Sequence, residues 1–416
     1  MSNILNLGKD LYIKGRIGWK GLKREEYLDY GDYKIINATA LKDGYIDWTN
    51  CGYISKERYD ESPEIMLQEN DLLISKDGTL GKIGYVKNKK TPCSVASGIF
   101  VIRNTAKDKV NFDYLYHLLT SHIFKDFINR NKAEGSTINH LYQRDLENFE
   151  IELPSLDKQK EVAFILNSID LKIQNNKKQI ETLESLAKTI YDYWFVQFDF
   201  PNEDGKPYKS SGGKMVWNEE LKREIPDGWK VGNLYSIADF INGLACQKFR
   251  AKDGEKNLPV IKIKEMHDGV MECTERVSEN IPSKYKVFDG DILFSWSATL
   301  AVIFWFGESG GLNQHIFKVN PKLYFSKEYV YELLSSYIVN FIKIAEARKT
   351  TMGHITTDHL EQSRIFLPPE SIINIFTKRI QPIYLKIGLV KKESRKITKL
   401  RNEILPLLMN GQVSID

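Results

Sequence analysis

The feature that most constrains this chain is that it repeats itself. Asp71-Leu72-Leu73-Ile74-Ser75 is echoed 220 residues on by Asp291-Ile292-Leu293-Phe294-Ser295, and Tyr114-Leu115-Tyr116-His117-Leu118-Leu119 is echoed 215 on by Tyr329-Val330-Tyr331-Glu332-Leu333-Leu334. From His140 the offset settles at 214: His140-Leu141 falls on His354-Ile355, Leu153-Pro154 on Leu367-Pro368, and Leu171-Lys172-Ile173 on Leu385-Lys386-Ile387. A slowly drifting offset marks two copies that have taken small insertions, so one fold must serve both halves. The first copy aligns only from about Leu7 onto Leu234. The second is therefore expected to carry an opening element, around Ile225-Pro226-Asp227-Gly228-Trp229, that the first lacks.

Each copy reads as a mixed α/β domain followed by a long helix. Short β-branched or aromatic runs predict strands at 83–86, 99–102, 260–263, 302–306 and 316–319, and helices are expected around 112–130 and 326–346. In the first closing helix Ile169, Ile173, Asn176, Ile180, Leu183, Ala187, Ile190 and Trp194 keep a 4-3 spacing; Ile383, Ile387, Val390, Ser394, Ile397, Arg401, Ile404 and Leu408 keep it in the second. Such heptads bury a narrow seam against a partner helix, and polar seam residues set register. The two helices are expected to pair antiparallel, giving an α/β (α+β) chain with a pseudo-twofold internal repeat. The predicted divisions are a first domain at 1–153, its helix at 154–200, a linker at 201–220, a second domain at 221–368 and the final helix at 369–416. The seam from Ile169 to Trp194 covers 26 residues. At ~1.5 Å per residue that is roughly 39 Å, or about one turn of duplex DNA. Two globular domains held apart by such a spacer suit two readers addressing one face of a duplex, and their differing sequences predict a split, asymmetric site.

Composition narrows the class. A chain of 416 residues with 42% hydrophobic and 27% charged residues has the balance of a folded globular protein. No apolar run approaches a bilayer span, and no basic segment leads into an apolar stretch at the start. The four cysteines, Cys51, Cys93, Cys246 and Cys273, are scattered without a C-x-x-C pair, which speaks against a zinc or disulfide framework and for a cytoplasmic setting. The net charge of +4 is uneven: residues 1–153 balance to zero, while 369–416 carry +5, concentrated around Lys391-Lys392-Glu393-Ser394-Arg395-Lys396. That run reads as a solvated helix face or as a phosphate contact.

Catalytic motifs are missing where they would be needed. The single Pro-Pro, Pro368-Pro369, lacks the flanking Asn or Asp and the aromatic of an adenine-methylating loop. There is no Gly-x-Gly-x-x-Gly after a strand and no Gly-x4-Gly-Lys-Ser/Thr. Gly307-Glu308-Ser309-Gly310-Gly311 fits G-x-S-x-G in letters, but it precedes a strand instead of opening a helix. His117 and His122 lack the H-E-x-x-H spacing. The reading is a chain without its own chemistry, set against an enzyme with an unfamiliar site and against a protein-binding scaffold.

At this point the chain resembles the specificity subunits of type I restriction–modification systems. The resemblance runs over its whole length and is most specific at Tyr193-Trp194-Phe195-Val196-Gln197-Phe198-Asp199-Phe200-Pro201, continuing through Gly205-Lys206-Pro207-Tyr208 and Gly212-Gly213 to Ile225-Pro226-Asp227-Gly228-Trp229. Gly311-Leu312-Asn313-Gln314-His315, the Asp-x-Leu-x-Ser strands and Asn410-Gly411 add to it. The resemblance implies two target-recognition domains and a non-catalytic role. The chain would assemble on double-stranded DNA with two modification subunits that bind S-adenosylmethionine and methylate adenine in a split target. Added restriction subunits using ATP and Mg would translocate and cut DNA.

A DNA reader needs Arg and Lys for phosphates and guanine edges, and Asn and Gln for adenine. The first candidate loop holds Lys14, Arg16, Trp19, Lys20 and Lys23 among glycines; its counterpart holds Asn242, Gln247, Lys248 and Arg250. For Trp19 a core position is the competing reading. A second patch is Lys76, Thr79 and Lys82, matched by Ser295 and Ser297. A third is Thr137 and His140, matched by Lys349 and His354, where the histidines either hold the loop or touch DNA. Asn313 and Gln314 are candidates for adenine or parts of a structural turn. Tyr191, Tyr193 and Phe195, off the helix seam, are expected to meet the modification subunits.

Overall fold

The computed structural model describes residues 3–42, 44–131, 140–347 and 355–412, excepting the side chains of residue 19 and of 344–347. The chain forms two compact units: Met1–Ile173 with Ile397–Asp416, and Gln174–Lys396. Each long helix therefore contributes to both units.

In the first unit a four-stranded antiparallel sheet runs in the order Tyr12–Gly15, Ile99–Arg103, Leu72–Ser75, Ile83–Tyr85. Its central strands are apolar on both faces because both are covered. Leu72, Ile74, Phe100 and Ile102 face the helices Phe112–Thr120 and His122–Asn131. Leu73, Ile99 and Val101 face a smaller layer with Ile36, Ile46 and Val95. Successive side chains of a strand point to opposite faces, so a continuous apolar run needs two cores. The smaller layer holds Tyr33–Ile36 between antiparallel Gly52–Ile54 and parallel Cys93–Val95. The single helix expected around 112–130 is broken at Ser121, whose hydroxyl donates to the Leu118 carbonyl.

The second unit repeats this plan. Ala238–Asn242, Ile316–Pro321, Asp291–Ser295 and Ala301–Trp305 form the main sheet in the equivalent order. Asn257–Ile261 pairs antiparallel with Arg276–Ser278 and parallel with Gly310–Leu312. The strand expected at 260–263 stops at Ile261, since Lys262 is the N-cap of the helix Ile263–Asp268 and its backbone N–H donates to the Glu265 carboxylate. The extra opening element is present as the hairpin Met215–Asn218 with Arg223–Pro226. The predicted linker is folded onto this unit: the Phe200 ring stacks on Tyr208 at 4.7 Å and on Trp229 at 5.3 Å, and Asp199 accepts from the Ser210 N–H and hydroxyl.

The long helices are Leu156–Tyr191, which ends in a wide π turn at Asp192–Val196, and Glu370–Met409. The predicted seam positions are the covered ones, and the helices run antiparallel. In the second unit the buried Asn176 amide donates to Glu393, and Lys391 donates to Glu184 at 2.8 Å. In the first, Arg401 grips Asp170 through both Nε and Nη2. No described helix is long and apolar enough to cross a membrane.

Candidate nucleic-acid interface

Among the described residues, the predicted DNA-contacting segments of each unit gather at one end of its main sheet. In the first unit Gly15 pairs with Phe100, Ser75 with Ile99, and Ile74 with Ile83, so the chain leaves or enters the sheet at this end through every strand. The loop after Ser75 is built around that hydroxyl, which donates to the Thr79 carbonyl at 2.6 Å and accepts the Lys82 N–H at 2.9 Å. Gly78 and Gly81 take positive φ (68° and 73°) to make the tight return. The loop before Leu141 is joined to it: His140 Nδ1 contacts the Asp77 carboxylate, and the Leu141 N–H donates to the Lys76 carbonyl at 2.9 Å. Thus His140 holds the second and third candidate patches together.

The second unit has the same scaffold. The Ser295 hydroxyl donates to the Thr299 carbonyl at 2.6 Å, Ala298 takes the left-handed place of Gly78 (φ 57°), and the Ile355 N–H donates to the Trp296 carbonyl at 3.0 Å. The Trp296 indole donates to Asn242 at 3.0 Å and lies against His315 and Phe317. Sequence reasoning overlooked Trp296 as a holder of Asn242. The signal available was its place one residue after the repeated Asp-x-Leu-x-Ser strand.

Several proposed contacts turn out to be internal struts. Arg16 is 2% exposed, and its guanidinium donates to the Val95 carbonyl and to the Ser62 and Ser94 hydroxyls. Burial, with Arg58 nearby, holds its pKa below the usual arginine value. Lys20 is tied to the Glu61 carbonyl at 2.6 Å. Ser295, Ser297 and Asn313 are buried; Asn313 accepts the His315 N–H, the structural turn that was its alternative reading. Left outward are Lys14, Lys23, Thr79, Asn242, Gln247, Lys248 and Arg250, with Lys76, Lys82, His140 and Gln314 half-buried. Thr137, Lys349, His354 and the Trp19 side chain lie outside the described residues.

Two of the three expected partner contacts also move inward. Tyr191 and Phe195 are buried in the second unit, with Phe195 ring-to-ring at 4.9 Å from both Tyr329 and Phe376. Rings from two other helices, Tyr329 and Phe376, cover them, so side chains beside the seam are enclosed as well as those on it, which the heptad alone does not anticipate. Tyr193 stays exposed. Six exposed apolar side chains on the helices form pairs 214 apart, Leu171 and Leu385, Leu186 and Leu400, Tyr193 and Leu407, while Phe164, Ile375 and Leu389 are exposed without such a counterpart.

Among the described residues, no three His, Cys, Asp or Glu side chains gather as a metal site would require. Residues 16–185 and 226–399 each match the family described as the type I restriction modification DNA specificity domain. The MjaIX type I restriction enzyme specificity subunit of Methanocaldococcus jannaschii is 27% identical over 89% of this chain and 86% of its own length. The HindI specificity subunit of Haemophilus influenzae is 22% identical over 97% and 99%. In fold, the chain is similar to the crystal structure of a type I S subunit from M. genitalium, with a TM-score of 0.57 at 15% identity over 97% and 95% of the two chains.

Proposed function

Because the chain belongs to the type I restriction–modification DNA specificity family, we propose that each unit reads one half of a split, asymmetric DNA target. The observation that carries this reading is a shared scaffold with unlike ends. Ser75 and Ser295 hold equivalent loops by the same bond, hydroxyl to the carbonyl four residues on, yet the residues presented around them are Lys14, Lys76 and Lys82 in one unit and Asn242, Gln247 and Gln314 in the other. Framework kept and contact residues changed is what two readers of different half-sites require.

The long helices set the spacing of the two half-sites and dock the methyltransferase subunits. The exposed pairs Leu171/Leu385, Leu186/Leu400 and Tyr193/Leu407 support two equivalent docking sites, hence two copies of one partner. Chemistry resides in those partners: S-adenosylmethionine in the modification subunits, ATP and Mg in a restriction subunit. The test is methylome sequencing of cells expressing this chain with and without a modification subunit. A bipartite adenine-methylated motif that needs both is the expected result. Methylation by this chain alone, or no motif with both, overturns it.

A further inference from the structure

The two reading ends place different chemistry at one equivalent position, and the difference is specific enough to assign a base to each. The position is the surface above Phe100 in the first unit and Phe317 in the second. Lys76 and Trp296 are equivalents: each follows the buried serine, donates its N–H to the carbonyl of Gly98 or His315, and lies over the equivalent phenylalanine ring. The Lys76 ammonium sits 4.8 Å from the Phe100 centroid, and the Trp296 ring lies 5.9 Å from that of Phe317. The residues facing these rings across the sheet are also equivalent, since Gly15 pairs with Phe100 as Asn242 pairs with Phe317.

In the first unit the partner position cannot hold a side chain. A Cβ on Gly15 would meet the Phe100 ring at 2.9 Å, so the ring fills that space and Lys76 is the polar group presented. An ammonium has three donors and no acceptor. It suits guanine, whose major-groove edge offers two adjacent acceptors, and it is opposed by the amino group of adenine or cytosine.

In the second unit the polar group is Asn242, and Trp296 determines how it is presented. An indole N–H can only donate, so the Asn242 atom 3.0 Å away is its oxygen, and the amide cannot flip without setting N–H against N–H. Gly243 holds the backbone behind it, its N–H donating to the Ile316 carbonyl at 3.0 Å and its α-carbon too close to Asn313 for any side chain. The result is an exposed amide with its amino group and second oxygen lone pair in defined places. Adenine carries the complementary acceptor and donor side by side.

We propose that Lys76 specifies a guanine in the half-site read by the first unit, that Asn242 specifies an adenine in the other, and that Trp296 is the positioning residue for Asn242. This rests on the two-reader function above. The experiment is methylome mapping of the complex with its modification subunit, for the wild type and for Lys76→Met, Asn242→Ala and Trp296→Phe, with thermal melting of each purified variant. Met keeps the aliphatic stem over Phe100 without the charge; Phe keeps the ring over Phe317 without the donor. Lys76→Met should relax one G·C pair in one half-site by roughly tenfold or more in relative methylation, with the other half-site unchanged. Asn242→Ala should do so at one A·T pair of the other half, and Trp296→Phe at that same pair by a smaller factor. An unchanged motif, or activity that falls equally at all sites, overturns the assignment and makes these groups backbone contacts. If Trp296→Phe leaves discrimination intact while Asn242→Ala relaxes it, the positioning role alone is overturned. A wild-type complex with no bipartite motif overturns the underlying function instead.

Discussion

Where the long helices enter the two cores, the units solve one problem with opposite chemistry. In the first unit the end of the second helix closes the core with Leu405, Leu408 and Met409. In the second, the residues 214 earlier are Tyr191, Trp194 and Phe195. The polar joints invert the pattern. The first unit fastens the first helix with buried Gln159, whose amide accepts the Asn111 N–H and donates to the Lys109 and Pro154 carbonyls. It adds His117, donating through Nε2 to Asn167 at 2.9 Å, and the Asp170–Arg401 pair. At the equivalent places the second unit has buried Ile373, Glu332 accepting from the Tyr384 hydroxyl at 2.6 Å, and buried Ala187 where Arg401 would be. Aliphatic contacts are non-directional, and the polar struts beside them supply the geometry; a dense aromatic cluster supplies shape by itself.

The sharpest way to break this comparison is a charge at equivalent core positions. Phe195→Asp should cost more than about 4 kcal/mol and unfold the second unit, whereas Met409→Asp, near a helix end that can fray, should cost roughly 1–3 kcal/mol in the first. Tryptophan fluorescence separates them, because Trp194, Trp217, Trp229, Trp296 and Trp305 lie in the second unit and only Trp19 and Trp48 in the first. Equal losses would show that the aromatic cluster is no more than covered area.

Next in size is Arg401→Ala. It leaves Asp170 half-buried beside the bare Nδ1 of His117, 3.9 Å away, and should destabilise the first unit by about 2–3 kcal/mol. In a double-mutant cycle Asp170→Ala should recover part of that loss in chemical denaturation.

The joints also titrate in opposite senses. Burial pushes His117 down to about 4, so between about 6.5 and 4 the unfolded chain takes up a proton that the folded one refuses. First-unit stability therefore falls as pH falls through that window. Burial pushes the Glu332 carboxyl up to about 7. The folded state then holds a proton that the unfolded chain has lost, so second-unit stability is fullest below about 4.5 and declines as pH rises to 7. Peptide-resolved hydrogen exchange between pH 5 and 7 should show the two units moving apart, each by roughly 1–2 kcal/mol. His117→Gln and Glu332→Gln should flatten one slope each.

The smallest stability effect is expected where the units agree. Leu171→Glu and Leu385→Glu lie at equivalent exposed positions and should each shift stability by less than about 0.5 kcal/mol. Each should still lower the number of modification subunits bound from two to one, read by native mass spectrometry.

Much of this architecture was legible from residue order. The drifting offset and the two 4-3 seams are local properties of the chain, and backbone periodicity alone turns them into strands and helix faces. The two sheets of one order and the antiparallel seam followed from them. The candidate site was legible as loops but not as residues. Lys14 and Arg16 stand two apart in one basic segment, yet Lys14 is exposed on the strand Tyr12–Gly15 while Arg16 is enclosed by Ser62, Ser94 and Val95. Those partners come from 46 to 79 residues away, and no local pattern encodes their arrival. The same holds for Tyr191 and Phe195, whose covering rings, Tyr329 and Phe376, belong to other elements, and for Asn242, oriented by an indole 54 residues on. Sequence by itself determined that one plan forms twice and that each copy closes with a long seamed helix. Tertiary structure decided which polar groups remain for a ligand, because burial depends on neighbours that only the completed fold brings together.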